Sequence, residues 1–141
     1  MPLPLEVGPI TAERCLALIP EYAQRKEDYQ PDEAVLQMLA ASVQPADHIG
    51  VYLGTWCSDS QREVPKLLKI LDLLESQYGI SIPVSFVALD RSKEEPADLI
   101  EERNIEKVAT FIYYRGGEEL GRVVETPASL LEDDLLAIVV R

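Results

Sequence analysis

The chain has 141 residues, 47% of them apolar, and a formal net charge of -12 from 25 acidic and 13 basic side chains. That length and apolar content suit one folded domain able to bury its own core without disulfide staples. The negative field argues against nucleic acid and against an anionic membrane as partners. No apolar run approaches a membrane span, and the opening "MPLPLEVGPITAERC" lacks the basic start and apolar core of a secretory signal, so a cytoplasmic location is expected.

From Thr11 to about Glu27, the apolar residues Cys15, Leu16, Leu18, Ile19 and Tyr22 predict a helix kinked at Pro20. "PDEAVLQMLAASV" predicts a second helix, with Pro31 at its first position and Val35, Leu36, Met38 and Leu39 at helical spacing. "HIGVYLGTW" is almost wholly apolar, as expected of a central strand covered on both faces. The longest helical pattern runs from Ser60 to about Tyr78, with Leu67, Leu68, Ile70, Leu71 and Leu74 on one face and Gly79 closing it. "IPVSFVALD" reads as the next buried strand, and "PADLIEERNI" as a short helix approached through Asp90 and Ser92. "ATFIYY" and "GRVVE" read as strands joined by "RGGEEL", where Gly116-Gly117 supplies the freedom of a hairpin turn. Tyr113 and Tyr114 alternate there, one expected in the core and the other toward the surface. "SLLEDDLLAIVV" predicts a final amphipathic helix. The order ααβαβαββα calls for parallel βαβ units plus an antiparallel hairpin on one mixed sheet, an α/β protein.

Two cysteines, Cys15 and Cys57, and one histidine, His48, make neither a disulfide framework nor a zinc-ligand spacing, so no metal site is expected. Cys15 lies among Leu16, Ala17 and Leu18 and reads as a small core residue. His48 opens a strand and reads as structural. Cys57 is different, because it stands between the end of a buried strand and the start of a helix. Backbone N–H groups and the positive end of the helix dipole favour a thiolate there. Asp59 stabilises the same helix start but opposes the thiolate by its charge. Ser60, one turn on, is placed to face the sulfur and donate a hydrogen bond. Trp56 offers a flat apolar platform for a partner protein. The plainer alternative is a buried cysteine beside a packing tryptophan.

From about His48 to the C-terminus, the chain resembles the thioredoxin superfamily. "WC" ends a buried strand, Ser60 falls at the second-cysteine position, and Pro65 sits at the kink-forming proline of the first active-site helix. "VALD" and "VATFIYYRGGEELGR" resemble the strands that follow. The bacterial subgroup whose site reads WC-x-D-S, with an N-terminal helical extension, is the most similar. The resemblance implies a single thioredoxin-like domain, a mixed sheet flanked by helices, with residues 1–46 as extension and 47–141 as core. It also implies a substrate groove formed by Trp56, Ser58, Asp59, Ala109 and Thr110. Four positions depart from the dithiol pattern. Ser60 replaces the second cysteine, and Ala109 replaces the cis-proline. Val51 stands where a buried acid belongs, and Phe86 where its lysine partner belongs. A non-proline cis bond costs about 2.5–4 kcal/mol, so a trans Val108–Ala109 peptide is expected.

With one sulfur, Cys57 can attack a disulfide and hold a mixed disulfide, but a hydroxyl at Ser60 cannot release it. Release then needs glutathione or another low-molecular-weight thiol as co-substrate, or a second protein. The implied partner is a protein disulfide or thiol, with no bound cofactor and no oligomeric state indicated. The competing reading is a redox-inactive thioredoxin-fold binding or scaffold module. An iron–sulfur cluster shared through glutathione would need site motifs that the chain lacks, and "GGEEL" reads as a hairpin turn rather than a glutathione-holding segment.

Overall fold

The computed structural model describes residues 7–18, 20–128 and 130–140. Ile19 and Ser129, named above within two of the expected helices, lie outside the described residues. The elements are β1 (Gly8–Ile10), α1 (Ala12–Leu18), α2 (Pro20–Asp28), α3 (Glu33–Ser42), β2 (Asp47–Leu53), α4 (Ser58–Tyr78), β3 (Val84–Ala88), α5 (Ala97–Arg103), β4 (Thr110–Arg115), β5 (Glu118–Val124) and α6 (Leu131–Val139). The strands form one sheet in the order β1-β3-β2-β4-β5. β2 runs parallel to β3 and antiparallel to β4, and β1 and β5 lie antiparallel on the two edges.

Strand β2 has both faces covered, as its continuous apolar run requires. Ile49, Val51 and Leu53 join Phe86, Phe111, Tyr113 and Val123 in the larger core, against buried residues of α1 to α4 and α6. Tyr52 points the other way, with Val87, Ile112 and Tyr114, into a smaller core that Leu99 and Ile100 of α5 help to cover. Cys57 and Trp56 pack at the margin of this smaller core. Period-2 alternation thus sorts the strands into two interiors, and the site lies beside the lesser one.

Several expectations change. The first helical stretch is two helices, α1 and α2, and a short strand, β1, precedes them. Asp32, not Pro31, begins the next helix, because its carboxylate accepts from the N–H groups of Ala34 and Val35 at 2.9 and 3.3 Å. Helix α4 starts at Ser58, two residues earlier than expected, and ends where Gly79 adopts a left-handed φ of 67°. Tyr113 and Tyr114 are both buried. The Tyr113 hydroxyl donates to Asp47 at 2.6 Å, and the Tyr114 ring stacks on His48 at 4.5 Å with the Arg103 guanidinium 4.9 Å away. Gly116 and Gly117 both take positive φ in the β4–β5 turn, which side chains with a Cβ rarely adopt.

Candidate active site

The chain leaves β2 at Leu53, turns through Gly54, Thr55 and Trp56, and enters α4. The Cys57 N–H donates to the Gly54 carbonyl at 3.0 Å, and the Cys57 carbonyl accepts from Gln61 at 3.0 Å, the first bond of the helix. Cys57 therefore occupies the N-cap, with extended dihedrals and no side-chain capping bond. Its sulfur is half-buried and donates to the Val108 carbonyl at 3.4 Å. Trp56 is fixed by a bond from its indole N–H to the Leu89 carbonyl at 3.0 Å.

Ser60 is fully buried. Its hydroxyl accepts the Gly54 N–H at 3.1 Å, a contact that the sequence reading did not anticipate. The reason is positional: Gly54 lies just past the last paired residue of β2, and its buried N–H needs an acceptor that the sheet no longer provides. Asp59 is turned to Arg62, whose Nη2 lies 2.9 Å from its carboxylate, and Ser58 is exposed. Arg62 also donates through Nε to the buried Glu63 at 2.6 Å and through Nη2 to the Thr126 hydroxyl at 3.1 Å.

The Val108–Ala109 peptide is cis, contrary to the expected trans form. Neighbouring bonds hold the chain on both sides: Thr110 Oγ1 donates to the Lys107 carbonyl at 2.6 Å, and Glu125 N–H donates to the Ala109 carbonyl at 2.7 Å. Ala109 and Thr110 are each 1% exposed, so this edge of the site presents backbone rather than side chains.

A mixed five-stranded sheet in the order β1-β3-β2-β4-β5, flanked by helices, with a cysteine at the start of the helix after the central strand, decides the architecture. The fold is thioredoxin-like. No family model and no curated protein matches the chain. Among solved structures it is similar to a protein of unknown function from Pseudomonas aeruginosa, at 18% identity and TM-score 0.61, over 92% of this chain and 86% of that one. An HIV epitope scaffold matches at 17% identity and TM-score 0.60, with the same two coverages. A thioredoxin from Nicotiana alata aligns at 16% identity and TM-score 0.46, over 79% of this chain and 85% of that one.

Within this thioredoxin-like frame, Val51 and Phe86 are register partners on β2 and β3, both buried. The two positions read from the sequence as a lost acid and lysine are therefore neighbours in space. Cys15 is fully buried in the larger core, and neither cysteine is in a disulfide. Among the described residues, no group of three or more His, Cys, Asp or Glu side chains is placed to hold a metal ion, and no helix is long and apolar enough to cross a membrane.

One feature of the site escaped the sequence. A cavity of about 470 Å³ opens between α2 and the first turns of α4, with Ser58, next to the thiol, on its wall. Arg25, Arg62 and Lys66 contribute cations to it. The sequence carried no signal for it, since Arg25 and Arg62 lie on helices far apart in the chain.

Proposed function

We propose that this protein is a monothiol thiol–disulfide exchange protein acting through Cys57. The observation that carries this reading is the half-buried Cys57 sulfur at the α4 N-cap, with a buried Ser60 hydroxyl where a resolving sulfur would stand. In the reaction, the Cys57 thiolate attacks one sulfur of a disulfide. A Cys57–substrate disulfide forms, the original S–S bond breaks, and the departing thiolate takes a proton from water. A second, external thiolate then attacks the mixed disulfide and returns Cys57 to its starting form. A protein disulfide or thiol would dock beside Trp56, against the backbone of Val108 and Ala109. A reducing compartment suits two cysteines outside any disulfide.

The test is alkylation by iodoacetamide and mass-spectrometric detection of a mixed disulfide after exposure to a small disulfide. Cys57 should react faster than a free cysteine and carry one adduct, which Cys57→Ser abolishes. A Cys57 that reacts no faster and forms no adduct would sink the exchange reading and leave a redox-inactive binding module.

A further inference from the structure

The cavity between α2 and α4 is not needed to explain attack by Cys57, yet it begins at the next residue. Ser58, Gln61 and Arg62 form its α4 wall, and Arg25 and Asp28 of α2, with Tyr29 just after it, form the facing wall. Its volume of about 470 Å³ falls in the range of small-molecule sites. The charges on it are not equivalent. Arg62 is held by Asp59 at 2.9 Å and Glu63 at 2.6 Å, and Lys66 by Glu63 at 3.3 Å over the Tyr29 ring. Asp28, the carboxylate of the lining, accepts from Gln24 at 2.9 Å. Arg25 is exposed and, among the described residues, forms no ion pair. The cavity therefore offers one uncommitted cation, on a wall that includes Ser58, the residue after Cys57, in a chain of net charge -12.

We propose that this cavity seats the body of a small anionic disulfide whose sulfur Cys57 attacks, with Arg25 pairing the ligand's carboxylate. The proposal rests on the exchange reading and names its substrate class: a low-molecular-weight disulfide bearing carboxylates. The Cys57 thiolate forms a bond to the nearer sulfur, the ligand's S–S bond breaks, and the outer half leaves as a thiolate that takes a proton from water. The retained half occupies the cavity until the thiolate of a different low-molecular-weight thiol attacks its sulfur, which frees the Cys57 thiolate and carries the retained half away as a mixed disulfide.

Adduct formation at Cys57 can be timed by mass spectrometry at low ionic strength with two probes, oxidised glutathione and the neutral bis(2-hydroxyethyl) disulfide. Each rate is divided by that of the same probe with a free thiol. The overall negative field disfavours the anionic probe, so a preference for it must come from the cavity. We expect a preference of roughly tenfold, a usual size for local electrostatic focusing, reduced in Arg25→Ala and lost in Arg25→Glu. Arg25 is exposed and forms no ion pair among the described residues, so these variants keep the packing of α2. A wild-type ratio near or below one, or a ratio unchanged in Arg25→Glu, overturns the proposal while adducts with the neutral probe uphold the exchange reading. No adduct with either probe ends both.

Discussion

The Ser60 hydroxyl accepts a hydrogen bond from the Gly54 N–H at 3.1 Å, across the loop that carries Cys57. At the position where a dithiol site has its second sulfur, this chain has a brace for the loop. Ser60→Ala leaves a buried backbone donor without an acceptor, at a cost of about 1–3 kcal/mol. Urea unfolding should show the midpoint lowered with an unchanged slope. An unchanged midpoint would mean the bond does not support the fold.

Gly54 and Trp56 set a second constraint on the same loop. A Cβ at Gly54 would sit 2.6 Å from Cε2 of the Trp56 ring and 2.9 Å from its Nε1. Gly54→Ala must therefore displace the indole from the Leu89 carbonyl, with an overpacking cost of about 1–3 kcal/mol. Trp56 is the only tryptophan of the chain, so its fluorescence reports the displacement directly, as a red shift in the folded variant. An emission spectrum identical to the wild type would refute the clash.

How far such features were legible differs by element. The α4 pattern of Leu67, Ile70, Leu71 and Leu74 marks a helix unambiguously, because helical spacing is local. Strand β1 was missed because its three residues, Gly8–Ile10, show no alternation and pair only with the distant β3. The cis Val108–Ala109 peptide was read as trans because the local cost was visible and the bonds from Thr110 and Glu125 were not. The place of Cys57 at the start of α4 was legible, since strand, cysteine and helix follow one another. The α2 wall of the cavity was not, since Arg25 and Arg62 meet only through tertiary packing.

Glu132 on α6 ties the N-terminal helices to the rest of the fold. Fully buried, it accepts from the Tyr29 hydroxyl and from the Asp32 N–H, the latter at 2.7 Å. Glu132→Ala removes both acceptors, and a buried donor left without its acceptor costs about 1–3 kcal/mol. Global stability should fall by at least that much, and amide exchange at the start of α3 should accelerate beyond the average. Uniform acceleration across the chain would argue against a local tie.

Asp47 predicts the acid limb of stability. Burial pushes its carboxyl up, but hydrogen bonds from Arg115, Tyr113 and the Gln44 N–H outweigh burial and hold it below the ordinary range. The unfolded chain thus takes up the proton at higher pH than the folded one. The stabilisation is complete above the unfolded value, near 3.9, and is lost as pH falls from there through the lower folded value. Asp47→Asn should be less stable at pH 7, with its deficit shrinking in thermal melts below about pH 4. A deficit that stays constant with pH would contradict the assignment.

The pairing of Val51 with Phe86 has a meaning for the economy of protons. A dithiol cycle that opens and closes its own disulfide needs an internal depot for the hydrogen its second sulfur gives up. Cys57 and Ser60 cannot close such a ring. The valine and phenylalanine paired there, both in the larger core, carry no group that takes up or gives up a proton, so exchange at Cys57, as proposed, would draw on other proton donors.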